Sequence, residues 1–532
     1  VSTGESTGGS TDAGPSGTPD TSGIPAAPAG AGAGRPRAAV VAALMLTMAL
    51  AALEGTIVAT AVPQVVGDLG GFSVFSWLFS GYLLAVTVSL PVYGKLSDTF
   101  GRKPVLLFGT ALFLAGSLLC SVAWNMAALI AFRIVQGLGG GALQGTVQTL
   151  AADLYPLKDR PKIQARMSTV WATSAVGGPA LGGLLAAYAH WRWIFLINLP
   201  VGALALWLIH RHLHEPARDR AAATPRGRID WPGALAVFAC GGVLLFAVVQ
   251  GGVAWPWLSA PSLALLAASA VLAVLVVRIE RRAEEPVLPG WVWRRRTIAA
   301  VNLAMAALGV VMVAPMVFVP TYAQSVLGLD PISAGFVMSG MTLSWPVTAA
   351  LSQHVYRRIG FRNSAAVGIA LAAAVLFSFT LLPYPARPWQ PALIMLLLGA
   401  ALGLFQLPLI VGVQSTVGWS ERGTTTASVL FCRQVGQSLG AAALGAVANL
   451  TIASRLADAP VPGLPTRLDD VSGALDRPDL VPPAAAEQLR GAVATAVDHI
   501  FFGASAAAVA ALLVLLLIAP RRFPVLPEQR ED

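Results

Sequence analysis

Charge is what this 532-residue chain has least of: Asp, Glu, Lys and Arg make up 11% of it, against about 25% in an ordinary soluble domain. With 56% hydrophobic residues and so few charges, it cannot cover itself with polar surface, which argues against a water-soluble globular fold. Cysteine is scarce as well. Cys120, Cys240 and Cys432 each fall inside an apolar run, so a disulfide framework, a thiolate metal site and a thiol nucleophile are all disfavoured, and the three read as small buried hydrophobes. No Gly-x-x-x-x-Gly-Lys-Ser/Thr run is present to cradle nucleotide phosphates, which argues against ATP-driven work by this chain. The histidines, His190, His210, His212, His214, His354 and His499, are not spaced as a metal cluster. The Gly-Trp-Ser at 418–420 and Gly-Ala-Ser at 503–505 lack a placed His and acid. The chain is therefore not read as an enzyme, and no metal or cofactor is expected.

What it does have is apolar runs, fourteen of them, each long enough for the roughly 30 Å hydrocarbon core of a bilayer. They cover residues 39–62, 74–94, 104–123, 126–150, 166–189, 194–212, 231–250, 261–279, 298–321, 332–355, 364–383, 391–413, 424–449 and 499–519. The prediction is an all-α polytopic membrane protein with fourteen transmembrane helices. Placing the amino terminus on the cytoplasmic side puts 27 of the 35 Lys and Arg on inside segments, 6 on outside segments and 2 within spans. That is the bias expected if basic loops are retained inside. Both termini are then cytoplasmic. The formal charge of +9 is spread over loops facing anionic lipid, among them Arg294, Arg295 and Arg296, so neither a nucleic acid nor an obligate protein partner is expected.

Residues 1–37, rich in Ser, Thr, Gly and Pro, are expected to be a disordered cytoplasmic tail. A secretory leader pattern is missing, so span 1 is expected to act as an uncleaved membrane signal. A charged turn at 94–103 has an echo at Tyr356 to Arg362, with Gly101 and Gly360 259 residues apart. The echo suggests two six-helix pseudo-repeat bundles, 38–212 and 298–520, with connectors and inserted helices 7 and 8 in 213–297 and a short cytoplasmic tail at 521–532. Parallel repeats of this kind belong to alternating-access carriers, whose sites lie between the repeats near the bilayer midplane. An external loop spans 450–498. Its last part, Ala484 to Val497, is free of Pro and has only Gly491 as a breaker, so it can extend span 14 outward as a helix.

The run Gly94-x-Leu96-Ser97-Asp98-x-x-Gly101-Arg102-Lys103 resembles the loop 2–3 signature of the major facilitator superfamily. Three further segments resemble motifs of its fourteen-span drug:proton antiporter family: Leu53 to Val58 through Pro63, Arg133 to Gly137 through Gly141, and Ser174 through Gly178, Pro179, Gly182 and Gly183. The resemblance covers residues 38–520. Glu54, Ser174 and Thr99 depart from the family's usual Asp, Gly and Arg. What the resemblance implies is a drug:proton antiporter, working by exchange rather than symport, with protons as coupling ion and no other cofactor.

Each motif also has its own chemistry. Glu54 is the only one of 26 acidic residues well inside a span. An ionised carboxyl there costs on the order of 2.5–3.5 kcal/mol on insertion scales, so it must be protonated part of the time or paired. Arg133 lies at a similar depth at about 1.5 Å per residue and is the candidate partner in proton coupling, although contact between them is not legible from sequence. Gly94 and Gly101 permit a reversal and close approach. Asp98 can pair with a basic group or cap a neighbouring helix, and Arg102 and Lys103 complete a clasp that would break as the carrier rocks. A purely structural turn is the simpler alternative. Gly178, Pro179, Gly182 and Gly183 combine small-residue packing with a proline break. Arg433 is a second embedded cation that either points into a cavity or snorkels to the headgroups. Gln136, Gln144, Gln148, Asn302, Gln406 and Gln434 suit either a wet cavity wall or helix–helix hydrogen bonds.

The expected function is proton-coupled export of small hydrophobic or amphipathic compounds from the cytoplasmic membrane of a bacterium, whose Arg-over-Lys bias and abundant Ala fit high-GC coding. Drug or antibiotic efflux follows, with self-resistance in a producer as one setting. With one embedded acid and two embedded arginines, neutral, anionic or monocationic substrates suit it better than dications. A lipid or siderophore exporter, or a non-transporting receptor or scaffold, are the alternatives.

Overall fold

The computed structural model describes residues 38–58, 62–70, 77–157, 159–213, 230–251, 255–256, 258–283, 286–287, 289–384, 386–458 and 482–526. The tail 1–37, most of the connector 213–229, the middle of the external loop and the last residues of the chain lie outside them. The first six long helices are α1 (Ala38–Ile57), α2 (Trp77–Phe100), α3 (Arg102–Ser121), α4 (Met126–Leu154), α5 (Arg160–Tyr188) and α6 (Asn198–His212). A pair follows, α7 (Trp231–Gln250) and α8 (Ala260–Glu280). The remainder are α9 (Arg296–Val313), α10 (Pro331–Ile359), α11 (Phe361–Phe379), α12 (Trp389–Gln414), α13 (Trp419–Asp458) and α14 (Pro483–Leu517).

Each predicted span coincides with one of these helices. Among the described residues thirteen helices are long and apolar enough to cross a membrane. α5 is not counted among them, although its 29 residues exceed the length required. α9 continues through a π-helical turn, Ala314–Phe318, into Val319–Ser325. Pro315 and Pro320 lie in this stretch, and proline removes a backbone donor, so the ladder widens locally instead of breaking. α14 begins at Pro483, well outside its apolar stretch, so the segment from Ala484 to Val497 is helical.

Small residues set the spacing between helices, as in membrane bundles where lipid is as apolar as the helix surface. A Cβ on Gly116 of α3 would lie 2.5 Å from the Gln136 Cα of α4, and one on Gly403 of α12 would lie 2.6 Å from the Trp345 carbonyl of α10. α1 to α6 pack on one another, as do α9 to α14. Between the two groups the main seams are α2 against α13 and α5 against α10. These are the second helix of one group against the fifth of the other, and the reverse, as a two-fold relation requires. α7 leans on α2 and α13, and α8 rests on α7.

The relation extends to single residues. Gly101 has φ 99° and ψ 162°, Gly360 has φ 85° and ψ 162°, and each stands immediately before the third helix of its bundle. This is backbone territory that side chains rarely enter. Two residues on from each, Lys103 Nζ donates to the His210 carbonyl at 2.8 Å, and Arg362 Nε and Nη2 donate to the Leu515 and Leu516 carbonyls at 2.9 and 2.8 Å. In both halves a cation on the third helix caps the open carbonyl end of the sixth. On the opposite face, Asp68 accepts from Trp191 Nε1 and from Arg192, each at 3.0 Å, and Arg192 also donates to the Ala123 carbonyl. The Trp191 and Arg192 hydrogen bonds hold the Asp68 carboxyl below the usual carboxylate range.

Gly436 of α13 sits directly on the Ala306 carbonyl of α9. Gly436→Val is predicted to force the pair apart and cost about 1–3 kcal/mol. The check is the thermal unfolding midpoint in detergent, with Gly491→Val, where a Cβ meets open space, as the unaffected control.

Candidate functional site

The embedded charges come together inside the first bundle. Glu54 is 1% exposed and Arg133 likewise. Arg133 Nη1 forms an ion pair with Glu54 Oε1, so the two residues touch. The other carboxylate oxygen accepts from Asn198 Nδ2 at 2.7 Å. Arg133 also donates to the Leu78 carbonyl at 3.0 Å and to Gln136 Oε1 at 2.9 Å, and its guanidinium lies 4.3 Å from the Tyr82 ring centroid. Ser117 Oγ accepts from Gln136 Nε2 at 2.6 Å and from Asn198 Nδ2 at 3.0 Å. α1, α3, α4 and α6 thus contribute to one closed network. Its logic is that of any buried ion pair: desolvation is offset only when each charge is met by an opposite charge and by hydrogen bonds.

Gln136 is spent in this network and does not belong to a cavity wall. Asn198 and Ser117 were missed by sequence reasoning. Asn198 left a signal, a lone amide at the start of an apolar run, whereas Ser117 is ordinary for a membrane helix.

A second cluster joins the bundles at the face that carries the 94–103 turn. Asp98 accepts from the Gly423 and Thr424 backbone N–H groups at 2.8 and 2.6 Å and from Thr424 Oγ1 at 2.8 Å. Its negative charge therefore lies on the amino-terminal turns of α13, where orphan N–H groups and the helix dipole favour an anion. Arg102 pairs with Asp98 at 2.8 Å and with Asp153 at 3.0 Å, donates to the Trp419 carbonyl at 2.6 Å, and stacks 4.1 Å over the Trp419 ring. Asp153, at the end of α4, also pairs with Arg422 of α13. Gly94 brings α2 against Gly423 and Ala427 of α13, where a side chain would clash. Arg295 holds Glu421 by two hydrogen bonds of 2.5 and 2.9 Å, tying the segment before α9 to the same turn. Asp153 and Arg422 completed the chain of alternating charges unforeseen. Both lie at span ends, where sequence reads them as solvated.

Lys103 reaches α6 within its own bundle, where it donates to the His210 carbonyl. In α5, Gly178 abuts Thr56 of α1, and Thr56 Oγ1 donates to the Ser174 carbonyl at 3.1 Å. Gly182 is buried in the same helix. Pro179 and Gly183 lie in that helix too, but their surroundings fall outside the described residues.

Above the latch, a void of ≈ 10 Å³ between α4, α12 and α13 is lined by Gln148, Gln414, Thr426, Val429 and Leu430 among others. It has room for about one water. Toward the other face a cavity of ≈ 400 Å³ opens between α2, α7 and α13, lined among others by Thr87, Leu245, Gln434, Gln437 and Asn449. Of the remaining polar candidates, Gln148 accepts from Gln164 at 2.7 Å, Gln144 is buried, and Gln406 is half-buried. Asn302 is buried with Ser428 bonded to its oxygen and its amide nitrogen unpartnered. Arg433 is half-buried, with Nε buried and unpartnered.

Two six-helix groups facing each other across a seam, latched at one face and hollow toward the other, define a polytopic membrane carrier. Residues 44–441 match the Major Facilitator Superfamily, and the chain belongs to that family. It is 34% identical over 421 residues to multidrug resistance protein 3 of Bacillus subtilis, covering 79% of this chain and 81% of that one. It is 33% identical over 428 residues to the multidrug transporter protein MdtP of the same organism, covering 80% and 78%. It is also 33% identical over 412 residues to the efflux pump dotC of Dothistroma septosporum, covering 76% and 70%. Among solved structures, the human organic anion transporter MFSD10 superposes with TM-score 0.58 at 17% identity, over 90% of this chain and 99% of that one. The proton:xylose symporter XylE superposes with TM-score 0.57 at 13% identity, over 92% and 98%. These two share the fold.

Asp98→Asn keeps the shape but removes the charge on the α13 turn. A charge-assisted hydrogen bond contributes about 1.5–3 kcal/mol, so the latched state is predicted to lose about tenfold or more against the unlatched one. Alkylation of Ser97→Cys, buried against Gly423 in the latch, should accelerate accordingly when Asp98→Asn is added, with the three native cysteines replaced. An unchanged rate would show that the charge does not hold the seam. The ion pair is tested separately by stability. Glu54→Gln alone strands Arg133 and is predicted to cost about 3–5 kcal/mol. Glu54→Gln with Arg133→Gln should recover most of that loss in the detergent unfolding midpoint.

Proposed function

We propose that this protein is a proton-coupled antiporter that exports small hydrophobic or amphipathic compounds across a bacterial cytoplasmic membrane. In this reading the latch face and both termini are cytoplasmic and α5 is the fourteenth crossing. The observation that carries it is the Glu54–Arg133 pair, an acid and a cation neutralising each other in a site with no other acidic residue. Protonation of Glu54 removes the charge that balances Arg133. The guanidinium must then find other partners, and Gln136, the Leu78 carbonyl and the Tyr82 ring are already at hand. A proton arriving at Glu54 thus re-weights the packing of α1, α4 and α6, and the bundle is re-posed against its counterpart.

The latch supplies the two-state element. Closed, it seals the cytoplasmic side and leaves the cavity toward the exterior; open, it admits substrate from the inside. The names of the relatives, multidrug resistance protein, multidrug transporter and efflux pump, support export of such compounds, and antibiotic resistance of the host would be its consequence. Moving one charge through 100 mV is worth about 2.3 kcal/mol, so at about 150 mV one net inward charge sustains a gradient of a few hundredfold.

The test is pH-gradient-driven uptake of a fluorescent amphipathic dye into inverted membrane vesicles. Native protein is expected to concentrate the dye. Glu54→Gln with Arg133→Gln, folded by the stability criterion above, is expected to lose at least about tenfold of the gradient-dependent rate while retaining downhill exchange. Gradient-driven uptake that persists at the native rate in the double variant would remove Glu54 from proton coupling.

A further inference from the structure

Among the described residues, Arg433 stands apart from the other embedded charges. Arg133 has Glu54, Arg102 has Asp98 and Asp153, and Arg422 has Asp153. Arg433 has none of these: its side chain makes no hydrogen bond, ion pair or ring contact with any described residue, and its Nε is buried without a partner. The residue as a whole is nevertheless half-buried. Its unpartnered terminal nitrogens are not among the sealed polar atoms, so they reach open space.

Its position on α13 says which space. Residues three or four apart on a helix share a face. Val429 and Leu430, one turn before Arg433, line the sealed void, and Gln437, one turn after it, lines the cavity of ≈ 400 Å³. Arg433 therefore lies on α13 between the level of the void and the level of the cavity, and is itself among the lining residues of neither. The α13 backbone is fixed at this level, because the Arg433 carbonyl lies against Gly309 of α9. A rigid, always-ionised guanidinium with free forked donors is suited to a planar oxyanion. Leaving it unpaired in a low-dielectric interior is costly unless a ligand supplies the charge.

We propose that Arg433 is the recognition group for an acidic substituent, and that the compounds this carrier handles include amphipathic carboxylates. The inference rests on the export reading above and narrows its substrate class. The acid end meets Arg433, one helical turn inward of the cavity-lining Gln437, and the apolar remainder lies along Leu83, Leu84, Leu245 and Val248, with Thr87, Gln434 and Gln437 as polar contacts. With no acidic residue among the described lining residues to hold a cation there, the same guanidinium disfavours purely cationic compounds.

The experiment compares two dyes that differ only in this group, rhodamine B with its free carboxylate and its ethyl ester, binding to the full-length protein in nanodiscs by fluorescence anisotropy. Native protein is expected to bind rhodamine B about tenfold or more tightly than the ester. Arg433→Gln is expected to abolish the preference by weakening rhodamine B and tightening the ester, and Arg433→Lys to retain part of it. Independently of any variant, benzoate should displace rhodamine B from native protein at concentrations where benzamide does not. Equal affinity of native protein for the two dyes, a preference that survives in folded Arg433→Gln, or benzamide competing as well as benzoate would each overturn the proposal. Gradient-driven uptake of the ester by native protein in the same lipids reports on export alone. A protein that pumps the ester without preferring the carboxylate keeps its exporter function and loses this site; one that prefers the carboxylate but pumps neither dye keeps the site and loses the exporter reading.

Discussion

A charge placed at hydrocarbon depth is costly unless another charge meets it, and much of the architecture of this protein follows from how its charges are met. Glu54 and Arg133 answer each other inside one bundle, with Asn198, Gln136 and Ser117 taking up the remaining hydrogen-bonding capacity. Asp98, Arg102, Asp153 and Arg422 answer one another across the seam between bundles. The two networks differ in what happens if they part. The first cannot open without stranding a charge in apolar surroundings, so in the proposed cycle it would be altered by adding a proton. The second lies at a span end, where water can replace each partner, so in the same proposal it would separate and re-form. Depth thus separates a charge pair with no water to replace a partner from pairs whose partners water can replace.

Much of this was legible in the sequence. Apolar runs marked every long helix, and the repeated turn located the two glycines whose positive φ angles precede the third helix of each bundle. The depth argument placed Glu54 level with Arg133. What escaped was whatever depends on side chains converging from distant segments. Asp153 and Arg422 sit at helix ends, where sequence allows solvation, and only the seam between α2, α4 and α13 buries them. Gln136 has the same local signature as Gln434, yet one is enclosed among α3, α4 and α6 and the other faces a cavity, because helix rotation is set by packing glycines and not by polarity. Lys103 belongs to the same motif as Asp98 and Arg102, yet it also reaches the carbonyl end of α6, a contact that the motif's spacing does not reveal.

The pairing of Lys103 with His210 and of Arg362 with Leu515 and Leu516 shows how far the two-fold relation has been kept. The latch itself has not been kept. The second half has a glycine and a cation at matching positions, but the segment from Tyr356 to Arg362 has no carboxylate to match Asp98. The seam between α5 and α10 therefore lacks the charge–dipole clamp that holds α2 to α13, and the two seams are held by unlike forces.

α13 is one uninterrupted helix of 40 residues. Its first turns are clamped by Asp98, Arg433 lies about 14 Å further along at about 1.5 Å per residue, and its outer half lines the cavity. A stiff rod gripped near one end, with a cavity along its shaft, behaves as a beam in a bearing. A tilt of a few degrees at the clamp displaces the cavity wall by an ångström or more, in proportion to distance from the pivot. Where along that beam a molecule lies therefore fixes its mechanical advantage over the clamp, so two compounds of equal affinity can differ in how readily they drive the carrier from one pose to the other.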